Sequence, residues 1–184
     1  MRVETARLLL RNWEEPDAEA FHRLNSDPQV MRFFGFRRTR AEADAFMDRL
    51  RAENAARFYG FGAVILKESG RCIGMAGLKP TRDVPARQPE AIEIGWRLVP
   101  EFWGMGLASA AARALLDFGF TTLGLGEIVS FAVWNNDASL AVMRRIGMTR
   151  IEGGEFDHPS VPENSPELKR HLLYAVTREE WAAG

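Results

Sequence analysis

One stretch of the sequence decides the fold, and it runs Glu93-Ile-Gly-Trp-Arg-Leu-Val-Pro-Glu-Phe-Trp-Gly-Met-Gly-Leu-Ala-Ser-Ala-Ala-Ala112. It predicts a strand that ends at Pro100, a short loop that holds Gly104 and Gly106, and then a helix. Glycines leave the N–H groups of such a loop unobstructed, and the positive end of the helix dipole adds to their attraction for anions. We therefore expect the loop to bind a pyrophosphate or another phosphorylated group.

The first turns of the predicted helix carry only small side chains. A helix of this kind lets a bulky ligand, or a neighbouring strand, lie close against its backbone. The residues concerned are Ala108, Ser109, Ala110, Ala111 and Ala112.

Outward from this stretch, the chain alternates between strand and helix patterns. We predict strands at residues 7–12, 58–66, 72–78, 91–98, 127–133, near 149 and at 169–176. Helices are predicted at residues 16–24, 39–57, from the glycine loop to about 122, and at about 136–146, with a final capped turn at 177–180. Residues 80–90 and 153–166 are predicted loops. The order β-α-α-β-β-β-α-β-α-β-β describes one α/β domain over residues 1–184 with a mixed sheet.

The composition narrows the class of protein. The 184 residues include 24 basic and 25 acidic side chains, a net charge of −1, so the whole chain has no electrostatic attraction to nucleic acid or to an anionic membrane. One cysteine, Cys72, excludes an internal disulfide and fits a reducing compartment. The first residues lack the apolar core of a signal peptide, and no apolar run reaches membrane-spanning length. We expect a cytoplasmic enzyme or binding protein.

The glycine loop also invites comparison with the dinucleotide-binding pattern G-x-G-x-x-G, in which Ser109 takes the place of the third glycine. That fold opens with a βαβ unit, whereas three strands of antiparallel appearance precede this loop. A phosphate loop that ends in Gly-Lys-Ser or Gly-Lys-Thr does not occur in the sequence. A turn with a purely structural role also stays open.

The loop resembles motif A of the GNAT superfamily of acetyl-CoA-dependent N-acetyltransferases, Q/R-x-x-G-x-G/A. Trp103 takes the first position in place of Gln or Arg, Gly106 takes the fourth and Ala108 the sixth. The run Glu-Phe-Trp-Gly-Met-Gly-Leu-Ala is similar to the variant in the RimJ/RimL-type branch, which includes ribosomal-protein N-terminal acetyltransferases.

Two further segments carry the same resemblance. Asn136-Asp-Ala-Ser-Leu-Ala-Val-Met-Arg-Arg-Ile-Gly-Met148 is similar to the branch's N-x-x-S followed by a short helix and Gly-Phe. The opening Thr5-Ala-Arg-Leu-Leu-Leu-Arg11, with Asp17 after it, matches as well. The resemblance implies a GNAT-like mixed, mostly antiparallel central sheet flanked by helices, with a splayed strand pair at the acetyl-CoA site.

The resemblance also implies how the coenzyme binds. In that family the pantetheine arm lies in the gap between the splayed strands. By position, the arm would meet the backbone of Trp96, Arg97 and Leu98. An N–H group of that backbone would polarise the thioester carbonyl. The pyrophosphate would meet the N–H groups of Gly104, Met105, Gly106, Leu107, Ala108 and Ser109. Asn136 would bond an amide of the coenzyme, or would only sit before its helix in a turn.

Direct acetyl transfer to an amine, without a metal, is the chemistry that the resemblance implies. Met143 stands where many members carry the tyrosine that protonates the leaving thiolate, so Ser139 is the candidate donor, with a helix-terminal hydrogen bond as its alternative role. Glu93 and Glu155 are candidate general bases, each with a solvated or paired surface charge as its alternative. Phe131 occupies another position at which the superfamily uses glutamate.

Three other groups of residues were considered for other kinds of chemistry or binding. Cys72 with His158 or His171 would suit a covalent acyl relay, but the apolar pattern around Cys72 favours a small core residue. The three histidines lack the spacing of metal ligands. Arg32–Arg40 mixes cations with aromatics as RNA-binding segments do, but its position in the fold favours a loop beside the acceptor.

We therefore predict an acetyl-CoA-dependent N-acetyltransferase that acts on a primary amine, either a protein N-terminus or a small molecule. A non-catalytic acetyl-CoA-binding regulatory module is the alternative. The acidic loop at residues 151–168 is expected to border the acceptor entrance. No membrane or nucleic-acid partner is expected, and a homodimer stays open.

Overall fold

The computed structural model describes residues 1–87 and 90–184. Its strands are β1 (Arg2–Glu4), β2 (Leu8–Arg11), β3 (Phe61–Leu66), β4 (Arg71–Thr81), β5 (Ala91–Leu98), β6 (Glu127–Val133), β7 (Thr149–Arg150), β8 (Phe156–Asp157) and β9 (Arg170–Thr177). Its α-helices are α1 (Ala18–Ser26), α2 (Arg40–Arg57), α3 (Leu107–Asp117), α4 (Asp137–Arg145) and α5 (Arg178–Ala183). Residues 88 and 89 of the predicted loop at 80–90 lie outside the described residues.

The strands form a sheet in the order β1-β2-β3-β4-β5-β6-β9-β7, with β8 also paired to β9. Each neighbouring pair is antiparallel except β5 and β6, which run parallel. The predicted mixed, mostly antiparallel sheet is confirmed.

The parallel pair in the middle of the sheet is splayed. β5 and β6 share a single register pair, Glu93 with Val129, whereas β5 keeps eight such pairs with β4 on its other side. At the same level Ser130 Oγ donates to the carbonyl of Ile94 over 3.0 Å. Beyond that point none of the described strands pairs with the edge of β5 that faces β6. The predicted splayed strand pair is confirmed.

Helices cover both faces of the sheet. Residues of α3 and α4 share one apolar cluster with the inward side chains of β2 to β6, and residues of α1 and α2 form a second cluster on the other face. Ala111 and Ala112 are fully buried, and the small side chains allow α3 to lie close to the strands. The site is therefore built where two helix layers meet the gap between β5 and β6.

The predicted helix boundaries are confirmed at several ends. Thr39 and Glu42 form a capping box at the start of α2, and Thr177 and Glu180 form another at the start of α5. Gly147 has φ +88° and follows α4, as the left-handed residue after a helix does.

Other boundaries differ from the sequence prediction. Phe58 takes a left-handed conformation and ends α2, so β3 starts at Phe61 instead of Phe58. Strand β4 runs on to Thr81, three residues beyond the predicted end. Two strands, β1 and β8, were not predicted, because segments of two or three residues are too short to show an alternating pattern and form only against the partner strand.

Candidate active site

The glycine loop presents a row of free N–H groups. Gly104 and Gly106 have φ values of +73° and +72°, a backbone that favours glycine. Within the described chain, none of the N–H groups from residue 104 to residue 109 donates to a protein acceptor; the first intrahelical bond of α3 runs from the N–H of Ala110 to the carbonyl of Gly106. Unsatisfied donors at a helix N-terminus suit a phosphate group.

These groups open on a cavity of about 540 Å³ that extends from the glycine loop to the segment after α1. Most of the residues that the sequence singled out line it: Trp96, Arg97, Leu98, Gly104, Gly106, Leu107, Ala108, Ser109, Asn136 and Ser139. Met105 is half exposed and points away, although its carbonyl anchors the loop by accepting from Arg7 Nη2 over 3.2 Å. The expected cavity is therefore assembled, with Met105 outside its wall.

Arg145 is a lining residue that sequence reasoning missed. Its Nη1 donates to Ser109 Oγ over 3.3 Å, so a cation from the end of α4 stands beside the first turn of α3. The available signal was a basic residue in the last turn of the helix that follows the Asn136 motif. A cation at this point adds to the attraction of the free N–H groups for a pyrophosphate.

Asn136 and Ser139 have different roles at the start of α4. Asn136 caps the helix, because its Oδ1 accepts from the N–H of Ser139 over 3.3 Å. Both residues line the cavity. Among the described residues, no protein group forms a hydrogen bond with Ser139 Oγ, so this hydroxyl does not have the helix-capping bond that was its alternative role.

Glu93 lies outside the cavity lining, on the opposite face of β5 from Ile94. Its carboxylate is 3.7 Å from Lys79 Nζ of the neighbouring strand, and only 14% of its side chain is exposed. Burial raises the pKa of Glu93 to about 7, and the negative charge of Asp83 also raises it. The positive charge of Lys79 acts in the opposite direction and lowers this pKa. A carboxyl group with a pKa near neutrality suits a general base.

Glu155 is held differently. Its carboxylate forms an ion pair with Arg150, and that hydrogen bond lowers the pKa of Glu155 below its ordinary value. Glu155 does not line the cavity. Both the position and the lowered pKa disfavour the assignment of Glu155 as the base.

The acidic loop at residues 151–168 is largely neutralised by its flanks. In addition to Glu155, the carboxylate of Glu163 pairs with Lys169 at 2.6 Å, and that of Asp157 lies 3.6 Å from Arg170. Three carboxylates of the loop are therefore paired, and its place at the acceptor entrance stays a prediction. The loop does border the Arg32–Arg40 segment, because a Cβ on Gly35 would lie 3.1 Å from Ser165 Oγ.

Four rings pack next to this loop, on the sheet face that carries Glu93. His158 and His171 have ring centroids 4.9 Å apart and both contact Phe131 and Phe156. Burial lowers the pKa of both histidines below its ordinary value, which favours the neutral form of each ring. Phe131, at a position where the superfamily uses glutamate, is thus part of an aromatic cluster.

Cys72 does not belong to this cluster. It packs beside the α1 and α2 layer, and burial raises the pKa of its thiol to about 12. A thiol that stays protonated is a poor nucleophile. The core role is therefore favoured over the acyl relay.

Residues 1–87 and 90–184 contain no group of three His, Cys, Asp or Glu side chains that could hold a metal ion. None of the helices in these ranges is both long and apolar enough to cross a membrane.

The fold and the loop define an acetyltransferase of the GNAT class. The chain belongs to this family, since the model of the Acetyltransferase (GNAT) domain matches residues 7–149. It is accordingly an acetyl-CoA-dependent N-acetyltransferase.

Individual relatives agree with this class over nearly the whole chain. The chain is 32% identical to the FsC-acetyl coenzyme A-N(2)-transacetylase of Aspergillus fumigatus over 97% of its own length and 77% of that protein. It is 33% identical to the uncharacterized N-acetyltransferase YnaD of Bacillus subtilis, over 98% of its own length and 99% of YnaD. A GNAT-family acetyltransferase structure from Bacillus anthracis superposes with a TM-score of 0.79 at 28% identity, over 97% of this chain and 99% of that one.

Proposed function

We propose that this enzyme moves the acetyl group of acetyl-CoA directly to a primary amine, on a small molecule or a protein N-terminus. The observation that carries the proposal is the continuity of one cavity between two places: the free N–H groups at residues 104–109 and the unpaired edge of β5. The first suits the pyrophosphate and the second suits an extended, amide-bearing arm. Acetyl-CoA, when bound, supplies the activated acetyl group.

Trp96 is the residue whose backbone we assign to the thioester. The carbonyl of Ile94 points toward β6, where it accepts from Ser130 Oγ. Because main-chain groups in a strand alternate in direction every residue, those of Trp96 and Leu98 point the same way. The carbonyl of Leu98 already accepts from Trp103 Nε1 over 2.7 Å. The N–H groups of Trp96 and Leu98 both face the gap, and we assign that of Trp96, which lies nearer the point where the strands part, to the thioester oxygen as negative charge develops there.

Glu93 and Ser139 are the proposed proton-transfer groups. The amine nitrogen forms a bond to the acetyl carbon, and the proton that it loses passes to the Glu93 carboxylate, through water because Glu93 lies outside the cavity lining. The carbon–sulfur bond breaks, and the leaving sulfur takes a proton from Ser139 Oγ, which in turn regains one from solvent. An α-amine, with a pKa of about 7.7–8.0, is partly neutral at pH 7 and relies less on the base than a lysine does.

We assign the chain to the RimJ/RimL-type branch. The support is the pair of motifs, residues 101–108 and 136–148, in their order and spacing. The reducing compartment expected from the single, partly buried cysteine, Cys72, agrees with a cytoplasmic enzyme.

A screen that measures thiol release from acetyl-CoA tests the function. Protein N-terminal peptides, amino acids, polyamines and aminoglycosides serve as acceptors, and mass spectrometry identifies the acetylated product. Turnover with any primary amine supports the proposal. Acetyl-CoA binding with no turnover over the whole panel would instead support the regulatory module, which the free Ser139 hydroxyl and the raised pKa of Glu93 do not favour.

A further inference from the structure

Arg97 is a cation held in the protein without an anion. The hydrogen bonds that it forms with described residues all leave from Nη1, and their acceptors are neutral: the carbonyl of Leu24, Oδ1 of Asn25 and Sδ of Met31, at 3.2 to 3.3 Å. No ion pair of the described residues includes it. Its Nε is buried and has no partner. Burial of an unpaired charge and of an unsatisfied donor both cost free energy.

A second guanidinium stands beside it. Arg38 Nη1 donates to the same Asn25 Oδ1 over 3.0 Å, and Asn25 is fully buried. Burial is the main reason that the pKa of Arg97 falls to about 9, and the charge of Arg38 lowers it further. Within the described residues, Arg38 also lacks an ion pair. Two neighbouring cations that share one neutral acceptor favour the binding of an anion.

The cavity reaches Arg97, although Arg38 is not among its lining residues. Arg97 lines it together with Phe34, whose ring centroid is 4.1 Å from the guanidinium carbon, and with Arg32. Nε is buried and Nη1 is occupied, so Nη2 is the nitrogen left to donate to a carboxylate oxygen in the cavity, through a charge-assisted hydrogen bond. The phosphates of the coenzyme have their own donors at the glycine loop and Arg145.

Glu93 stands at the other end of the same strand face. Residues 93, 95 and 97 point to one side of β5, and the Phe61 ring lies over Gly95, where a Cβ would be 3.0 Å from its Cζ. The Cα atoms of Glu93 and Arg97 are about 13 Å apart along the strand, so the two charged groups flank this ring, and Glu93 acts through water as proposed above. This face therefore offers a carboxylate to an amine and a guanidinium to an anion.

We propose that the acceptor is an amine that also carries a carboxylate, an amino acid or a close derivative, and that Arg97, supported by Arg38, binds the carboxylate. The inference rests on the proposed acetyl transfer and adds the substrate class. It separates this enzyme from acetyltransferases of polyamines, whose positive charges would meet Arg97 and Arg38.

Matched acceptors test the proposal. L-amino acids and their carboxamides, such as L-phenylalanine with L-phenylalaninamide and L-lysine with L-lysinamide, differ only in the carboxylate. We expect kcat/KM for the preferred acid to exceed that for its amide by roughly tenfold to a hundredfold, the size of a charge-assisted hydrogen-bond pair. In Arg97→Met the ratio falls to about one while KM for acetyl-CoA is unchanged, and Arg97→Lys restores part of the preference. Arg49→Met, which removes an exposed cation outside the cavity, is the matched control.

The outcomes separate the two proposals. Equal turnover of acids and amides overturns the carboxylate site and leaves acetyl transfer standing, and a changed affinity for acetyl-CoA in Arg97→Met assigns Arg97 to the coenzyme instead. A titration of N-acetyl-L-phenylalanine and its amide into the wild-type protein with CoA needs neither turnover nor a folded variant. If no amine is acetylated, the transfer function fails, and this titration decides the site: tighter binding of the acid supports it, and equal binding overturns it.

Discussion

The carboxylate of Glu93 on β5 lies 3.7 Å from the ammonium group of Lys79 on β4, in register across the antiparallel pair. The pair is asymmetric, since 44% of the Lys79 side chain is exposed but only 14% of that of Glu93. Solvent therefore screens the attraction of the lysine for the carboxylate, whereas the carboxylate itself is largely desolvated by burial. For this reason the pKa of Glu93 stays near 7 in spite of a cation at close range.

The first prediction is the pH profile of Glu93→Gln. A base acts as the carboxylate, so the wild-type kcat/KM rises as the pH passes upward through about 7. We expect Glu93→Gln to lose this limb and about a hundredfold in rate. Glu155→Gln removes a carboxylate of the same type that is paired with Arg150, and steady-state rates from pH 5.5 to 9 should retain the wild-type limb. A wild-type profile in Glu93→Gln would leave proton removal to solvent.

The second prediction uses Lys79→Met. Because Lys79 lowers the pKa of Glu93, its removal raises that pKa and moves the acidic limb to higher pH. At pH 6 to 7 the variant should therefore be slower than the wild type, and at pH 9 the two rates should converge. An unshifted limb in the same rate series would mean that the limb belongs to another group, the acceptor amine included.

The third prediction concerns Gly106→Glu. The side chain would place bulk and negative charge among the N–H groups that we assign to the pyrophosphate, and affinity for acetyl-CoA should fall roughly a hundredfold or more. Gly70→Glu is the matched control, since Gly70 has φ +68° and open space around it in the β3–β4 turn. Both variants should lose about 1 kcal/mol of unfolding free energy from backbone strain. Calorimetric titration should show normal affinity in the control alone; equal affinity in both would rule out the phosphate loop.

The fourth prediction separates Ser139 from Asn136. Ser139→Ala should lower kcat about tenfold or more, with unchanged acetyl-CoA affinity and unchanged stability, because its hydroxyl has no bond to a described protein group. Asn136→Ala removes the cap of α4 and should cost about 1 kcal/mol of unfolding free energy. Steady-state rate assays, acetyl-CoA titration and urea unfolding of both variants check this prediction. Full turnover in Ser139→Ala would show that the thiolate leaves without its help.

The fifth prediction is about the pair at the start of the chain. Asp17 is 3% exposed and its two oxygens accept from Arg11 at 2.6 and 3.1 Å. Asp17→Ala leaves the largely buried Arg11 guanidinium with only the exposed Glu14 carboxylate, 3.3 Å from its Nε, and should cost about 3 kcal/mol of unfolding free energy by urea denaturation. Asp44→Ala breaks an exposed pair with Arg40 and should leave the urea midpoint unchanged. Similar midpoints for both variants would show that burial adds nothing to the first pair.

The features that the sequence pattern predicted well are those that depend on residues close together in the chain. The capping boxes at Thr39 and Thr177, the turn at Gly70 and the left-handed glycines of the coenzyme loop depend on residues within four positions of each other. Contacts of that range are visible in spacing alone. The same holds for the Asn136 cap and for the small residues at the start of α3.

Spacing and resemblance in the sequence thus predicted the family and the sheet with its central gap, and they singled out the glycine loop and most of the residues that line the cavity. Only the folded structure distinguishes the surroundings of Glu93 from those of Glu155, because a carboxyl pKa depends on which groups surround it after folding. It alone also isolated Arg97 from any anion among the described residues, through partners 66 to 73 positions away in the chain. Burial and charge pairing between distant segments produce no periodic sequence pattern, because the residues involved become neighbours only when the chain folds.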